Sequence, residues 1–452
     1  MRVSIIGTGY VGLVSGVCLA EKGHEVVCVD VDGEKIDRIN RGVTPIHERG
    51  LSELLQRNLN RTFRATTDLR RAVLDSDLSM LAVGTPFTGD AIDLRFVRAA
   101  ARDVGAALRD KRGYHVVVVK STVVPGTTSD VVRPLLEEAS GKKAGPDFGV
   151  GMNPEFLREG EAVADFLSPD RIVLGALDRR TSTVLEELYA AFPGVAIIRT
   201  DPRTAETIKY AANALLATMI SFSNEIGALC AGITGVDVVE VMRGVHLDRR
   251  ITPILEDGRR IQPAFTSYLE AGCGFGGSCF PKDVKALIAH GRKAGAPMRL
   301  LDAVMDINEL QPRTMLTLLE KHLPVLSGVP VAVLGLAFKP GTDDVRESPA
   351  IPLVRELRAR NALVRAYDPA AMDEARRHLG DASPRFAKTL TEALHDAQAV
   401  LLLTRWPEFA DVPRLLEGRQ NPPVVIDGRR MLHPGSVARY EGIGRGPART
   451  HD

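Results

Sequence analysis

Short runs of β-branched and other apolar residues punctuate the first part of the chain: RVSII over 2–6, EVVCVD over 25–30, LSMLAVG over 78–84, HVVVVKS over 115–121, FGVGMN over 148–153 and RIVLGA over 171–176. Stretches with a helical period, such as LRFVRAAARDVGAAL, separate them. Continuous apolar runs of this kind predict strands buried on both faces. Their alternation with helices predicts a parallel sheet covered on both sides.

The pattern changes near Asp201, where TAETIKYAANALLATMISFSNEIGALCAG predicts one long helix stopped by Gly232. Helical character continues through VVEVMRG and, past a Gly- and Pro-rich loop at 252–282, through DVKALIAHGRKAG and residues 299–322. A strand and turn restart in VPVAVLGLAFKPGTDD (329–344), and the runs LVRAYDP, AVLLLT (399–404) and VVIDGR (424–429) follow. The predicted fold is α/β: two Rossmann-like doubly wound domains joined by a central helical segment with a long helix. The expected spans are 1–198, 199–322 and 323–440, with 441–452 a flexible tail lacking periodicity.

A length of 452 residues fits roughly three domains at ~150 residues each. Hydrophobic residues at 44% and charged residues at 25% describe a globular chain. With 58 basic against 57 acidic side chains, no overall field attracts nucleic acid or an anionic membrane. Aromatics at 5%, with Trp406 the one tryptophan, argue against base-stacking platforms. Five cysteines form an odd set that suits a reducing compartment better than a disulfide framework. The N-terminal MRVSIIGTGYVG has no signal-peptide pattern, so a cytoplasmic location is expected.

Gly7-Thr8-Gly9-Tyr10-Val11-Gly12 follows the first predicted strand and opens a helix, and Asp30 ends the second strand eighteen residues beyond Gly12. The glycines permit a tight turn, close approach to a pyrophosphate, and helix-on-strand packing, while the helix N-terminus faces the phosphates. An acid at Asp30 accepts from a ribose 2′-hydroxyl and repels a 2′-phosphate, which selects NAD over NADP.

A second glycine-rich run, Gly274-Phe275-Gly276-Gly277-Ser278-Cys279-Phe280-Pro281-Lys282-Asp283, leads into a helix whose first turn suits Pro281. Cys279 would then lie at a helix N-terminus that favours thiolate and makes it a candidate nucleophile. Asp283, one turn on, could approach the sulfur and act as a base for water. A small buried apolar cysteine is the competing reading. Cys273 alone beside Cys279 lacks zinc spacing, and no metal is expected. Lys209 and Asn213 share one face of the long helix, where they could hydrogen-bond a developing oxyanion or simply line a solvated margin. Glu155 and Glu159 would share a face if NPEFLREGEA is helical, for acid/base work or as an exposed acidic helix start. Thr122 ends a strand at the carboxyl edge, where open sheets bind ligands; a plain turn threonine is the alternative.

Together GTGYVG, VGTP, KSTV, NPEFLREG, KYxxN, GFGGSCFPKD and GLAFKPGTDDVRESP resemble the UDP-glucose and GDP-mannose 6-dehydrogenase family over residues 1 to 430. The resemblance implies oxidation of a nucleotide sugar's C6 alcohol to aldehyde and then to acid with two NAD. It implies that Cys279 forms a thiohemiacetal and then a thioester. Lys209, Asn213 and a water held with Thr122 would stabilise oxyanions, and Asp283 would assist Lys209 or the hydrolytic water. Glu155 would serve acid/base chemistry, and Glu159 would organise Thr122's water or the cofactor. Gly7, Gly9, Tyr10, Val11, Gly12, Asp30, Lys35, Thr85, Thr122, Glu159, Lys282 and Arg346 are the implied NAD contacts. Glu155, Phe156, Leu157, Arg158, Lys209, Asn213, Arg260, Tyr268, Phe275, Gly276, Cys279 and Lys339 are the implied nucleotide-sugar contacts.

An insertion in LDRRITPILEDGRRIQPAFTSYLEAG leaves Arg250 and Arg260 as competitors for an arginine that such enzymes extend across a homodimer. GSCFPKD resembles the UDP-glucose branch and SGKKAGPDFGVGMNPEF the GDP-mannose branch; the motif nearest the sugar favours UDP-glucose, with dTDP-glucose next. A single-step dehydrogenase of 3-hydroxy acids, which has no use for Cys279, and a non-enzymatic NAD or redox sensor are the other readings.

Overall fold

Four consecutive valines after His115 make a strand with no polar face, and in the computed structural model, which describes residues 1–89 and 91–449, they lie wholly buried. This strand, β5 (Val116–Val119), belongs to a sheet with β1 (Arg2–Ile6), β2 (Glu25–Val29), β3 (Phe63–Thr66), β4 (Leu78–Leu81), β6 (Gly149–Met152), β7 (Arg171–Ala176) and β8 (Ala196–Thr200). The order is β3-β2-β1-β4-β5-β6-β7-β8. Helices cover both faces, one centred on Leu13, Val17 and Leu55 and the other on Val97, Val104 and Leu136. Each fully buried valine contributes on the order of 1.5–3 kcal/mol through burial.

The sheet departs from the expected parallel arrangement at one pair. β6 and β7 run antiparallel, with Gly151 opposite Ala176, while β8 pairs parallel with β7. The apolar runs carry no direction, so this reversal has no sequence signature. β3 and β8 were not anticipated either. β3 shows its core only at Phe63 and Ala65, and no residue of β8 is buried.

The chain divides into two units, Met1–Ala212 and Asn213–Asp452, with the helix Pro202–Ala231 begun in the first and completed in the second. The segment expected as a separate helical domain therefore clusters, from Asn213 onward, with the C-terminal sheet. By length and composition this helix would pass for a membrane span, and 39% of its most apolar window is buried in the protein.

In the second unit β9 (Pro330–Leu334), β10 (Leu363–Tyr367), β11 (Arg385–Phe386), β12 (Ala399–Leu402), β13 (Val424–Asp427) and β14 (Tyr440–Gly442) form a parallel sheet ordered β11-β10-β9-β12-β13-β14. The helices Phe280–Lys293 and Arg299–Glu320 pack together through Val284, Ile288, Leu301 and Val304. The tail expected to be flexible from 441 is tied down through Pro447. Gly442 completes β14, the Val238 N–H donates to the Gly444 carbonyl (2.9 Å), and the Gly235 N–H donates to the Pro447 carbonyl (2.8 Å). Three alternating glycines let the chain follow this path without side-chain clash. Residues 450–452 of that tail lie outside the described residues.

Candidate active site

In the first unit the glycine-rich loop joins β1 to the helix Tyr10–Glu21. Gly7 has φ +106°, and a Cβ on Gly12 would lie 1.9 Å from the Gly7 carbonyl oxygen, so neither position accepts a side chain. A Cβ on Gly9 would meet nothing within 4 Å, which leaves open space over the helix N-terminus for a diphosphate. Asp30 ends β2 and faces the loop: Oδ2 accepts the Thr8 N–H (2.8 Å), the Thr8 hydroxyl (2.6 Å) and Lys35 Nζ (3.3 Å). Burial works against its charge, but the Thr8 and Asp32 hydrogen bonds and Lys35 outweigh it and hold the carboxyl below its usual range. An ionised acceptor beside an open loop fits a ribose diol and a diphosphate. Thr85 donates its hydroxyl to the Thr122 carbonyl (2.9 Å), which anchors the half-buried Thr122 at the end of β5.

The segment Asn153–Glu161 is not helical, so Glu155 and Glu159 do not share a helix face as the spacing had suggested. Pro154 removes a donor, and Glu155 Oε2 instead accepts the Leu157 N–H (2.6 Å), closing a tight turn. That turn aims Glu155 inward. Its Oε1 lies 3.0 Å from Lys209 Nζ, and the two side chains are 5% and 4% exposed. Burial opposes the charge on Glu155, yet Lys209, the Leu157 N–H and Lys120 hold its carboxyl below the ordinary range. The carboxylate form of Glu155 is thereby favoured, and Phe156 offers its ring 5.5 Å from Lys209 Nζ. Arg158 turns back onto Asp165 (2.6 Å) and Glu161 (2.8 Å), and Glu159 is buried.

In the second unit Cys279 is the N-cap of the helix Phe280–Lys293. Cys18, Cys28, Cys230 and Cys273 are buried, and burial pushes each of those thiols up, that of Cys18 to about 12. Cys279 alone is half-buried, with Sγ 3.6 Å from the Ser278 hydroxyl. Asp283 is 1% exposed. Oδ2 accepts from Asn213 Nδ2 (2.6 Å), and Oδ1 accepts from Lys282 Nζ. Lys209 and Asn213 lie four residues apart on one helix. Its turn geometry thus places a cation and an amide on neighbouring rungs.

Other candidates of this unit have defined surroundings. Phe275 is buried and donates its N–H to Asn308 Oδ1 (2.8 Å). A Cβ on Gly276 would fall 2.2 Å from the Glu347 carbonyl oxygen. Tyr268 and Phe280 stack at a tilt, 6.2 Å apart, Lys339 lies 5.9 Å from the Phe338 ring, and Arg346 pairs with Asp344 (2.8 Å). Arg260 donates Nη1 to the Leu247 carbonyl (2.7 Å) and to Thr252 Oγ1 (2.8 Å), which ties it to the inserted loop. Arg250 is exposed and paired with Asp248.

Three buried charged residues escaped the sequence reading. Glu48 accepts the Tyr10 hydroxyl and the N–H groups of Gly160 (2.7 Å) and Ala162 (3.0 Å), which fastens the end of the Glu155 loop to the nucleotide-loop helix. Glu206 accepts the N–H groups of Gly126 (2.6 Å) and Thr128 (2.8 Å), just past Thr122 and one turn before Lys209. Lys120 donates to Asn153 Oδ1 (2.8 Å). An acid inside an apolar helix start was the available signal for Glu206; Glu48 and Lys120 have partners distant in sequence and carried none.

Residues 1–193 match the NAD binding domain of the UDP-glucose/GDP-mannose dehydrogenase family, 203–310 its central domain and 332–434 its UDP binding domain. A UDP-glucose 6-dehydrogenase of Haloferax volcanii is 46% identical over 98% of this chain and 99% of its own length. A GDP-mannose 6-dehydrogenase of Pseudomonas aeruginosa is 44% identical over 81% of each. The solved UDP-glucose dehydrogenase of Pyrobaculum islandicum superposes with a TM-score of 0.88 at 42% identity, covering 98% of this chain and 97% of that one. The chain belongs to the UDP-glucose/GDP-mannose dehydrogenase family.

Proposed function

We propose that the protein is an NAD-dependent 6-dehydrogenase of UDP-glucose, with dTDP-glucose the next candidate, that carries the sugar's C6 alcohol to the acid. The observation that carries the proposal is Cys279, the one cysteine left accessible, capping a helix whose first turn holds Asp283 on Asn213 and Lys282. Full-length likeness to UDP-glucose enzymes, against 81% coverage by the GDP-mannose enzyme, supports the choice of base.

NAD, held by the Gly7–Gly12 loop with Asp30 on its ribose, would accept a hydride in each of two oxidations. Glu155, kept as a carboxylate by Lys209, would take the hydroxyl proton, directly or through a water on Thr122. Cys279 Sγ would then add to the aldehyde carbon, and Lys209 and Asn213 would hydrogen-bond the oxyanion. Loss of the second hydride leaves a thioester, and water breaks its S–C bond to give the acid and restore the thiol. Asp283 would act by orienting Asn213 and Lys282 and not as a base at sulfur. Thr85, Lys35, Glu159 and Arg346 complete the proposed cofactor contacts. Phe156, Leu157, Arg158, Tyr268, Phe275, Gly276 and Lys339 complete those of the sugar nucleotide. Arg250, and not Arg260, would extend to the partner in a cytoplasmic homodimer. The exposed stripe of Leu215, Phe222 and Leu229 on the long helix would form part of its seam.

The test is NADH formation from UDP-, dTDP- and GDP-hexoses. About two NADH per UDP-glucose is the expected yield. One NADH per substrate would favour a single-step dehydrogenase, and a response to GDP-mannose alone would reassign the base.

A further inference from the structure

Lys120 follows the four valines of β5 and is 4% exposed. Its ammonium makes one hydrogen bond among the described residues, to Asn153 Oδ1 at 2.8 Å. The same oxygen accepts the Tyr189 hydroxyl, while Asn153 Nδ2 donates to the Val173 carbonyl (2.9 Å). The Asn153 N–H donates to the Val119 carbonyl (2.9 Å), so Lys120 and Asn153 leave the ends of neighbouring strands at one level. Asn153 begins the turn that carries Glu155 two residues later. An ammonium sunk this deeply is costly to retain, and a hydrogen bond to one amide does not repay it.

The groups facing Lys120 come from several elements: Glu155 from the turn after β6, Lys209 from the long helix, the Phe166 ring at 5.8 Å, and Asn153 and Tyr189. Two ammonium groups thus serve one carboxylate.

We propose that Lys120 is a positioning residue of the dehydrogenase reaction: it fixes the Asn153–Glu155 turn and adds a second positive charge beside the Glu155–Lys209 pair. The inference rests on the proposed roles of Glu155 and Lys209. Burial pushes the Lys120 ammonium down to about 8, with Glu155 pulling it up and Lys209 pushing it down. Its charge in turn helps hold the Glu155 carboxyl low. Loss of that charge raises the proton affinity of Glu155.

The experiment is the pH profile of kcat/KM and kcat in the full-length enzyme, with the sugar nucleotide that the wild type oxidises and saturating NAD. Lys120→Met removes the charge and the hydrogen bond, Lys120→Gln removes the charge and keeps a donor for Asn153, and Tyr189→Phe removes the other hydrogen bond at Asn153 with no change of charge. Both Lys120 variants are expected to move the acid limb upward by at least ~0.5 pH unit and to lower kcat roughly tenfold, with a smaller change in KM. Tyr189→Phe lowers kcat with its limbs in place. Should Lys120→Met fail to fold, Lys120→Gln carries the comparison. Coincident acid limbs in wild type and Lys120 variants overturn the inference while leaving the activity standing, and so does an equal shift in Tyr189→Phe. Wild-type enzyme that yields no NADH from any sugar nucleotide overturns the functional reading and this inference together.

Discussion

Replacing Glu155 by glutamine keeps the shape of the turn and removes one charge from a fully enclosed pair. Lys209 Nζ lies 3.0 Å from the carboxylate, and neither side chain exposes more than 5% of its surface. Breaking a buried pair by neutralising one partner costs about 3–5 kcal/mol. Since the amide oxygen can still accept from Lys209, the lower end applies. For a unit of about 200 residues, each kcal/mol moves the melting temperature by about 2–4 °C, so at about 3 kcal/mol Glu155→Gln should melt roughly 6–12 °C below wild type at neutral pH. The sign of the pH dependence follows from the groups left behind. Lys120, already pushed down to about 8, loses a carboxylate that pulls it up. An ammonium whose folded value falls further below its unfolded one begins to gain stability at a lower pH, so the deficit narrows as pH rises toward about 8 and levels off above it. Glu155, held low in the folded chain, contributes above its unfolded value of about 4.3 and loses that contribution as pH falls through the folded one, so the deficit also narrows in acid. Calorimetric melting of both proteins at several pH values checks this. A shift under about 2 °C at neutral pH, or a deficit constant from neutral to alkaline pH, would refute the buried pair as the source of stabilisation.

Asp30→Ala should weaken NAD binding roughly 5–30-fold in calorimetric titration, because about 1–2 kcal/mol of charged acceptor is lost to the ribose and to Thr8; unchanged affinity would remove Asp30 from the cofactor site. Burial lifts the Glu206 carboxyl to about 7, so its protonated form favours the fold below the unfolded value and that advantage is lost as pH rises toward 7. Glu206→Gln should therefore gain in melting temperature relative to wild type between about pH 5 and pH 8, and a difference independent of pH contradicts the assignment. Leu215 and Leu229 are each 61% exposed and Phe222 is 47% exposed. Leu215→Glu should split the proposed dimer in sedimentation velocity, and an intact dimer would place the seam elsewhere.

The strands that could be read from sequence were those with unbroken apolar runs, because burial on both faces leaves no polar position to blur the pattern. β8 escaped because Ala196–Thr200 buries nothing, and the antiparallel turn from β6 to β7 escaped because direction is a property of connections and not of composition. Cys279, Asp283, Lys209 and Asn213 stood out by type and spacing. What spacing could not give was where their side chains point. Asp283 spends its oxygens on Asn213 and Lys282, and Arg260 spends its guanidinium on the inserted loop, choices made by partners distant in the chain. Glu48, Glu206 and Lys120 belong to the same class, since each binds backbone or amide groups that only the tertiary fold supplies.

The most direct measurement is the yield of free sugar acid from Cys279→Ser beside wild type, with NAD and UDP-glucose affinities determined on both. Sulfur as the essential nucleophile requires intact binding of both ligands and acid release reduced by at least ~100-fold. Acid released at the wild-type rate by Cys279→Ser would contradict the thioester account outright.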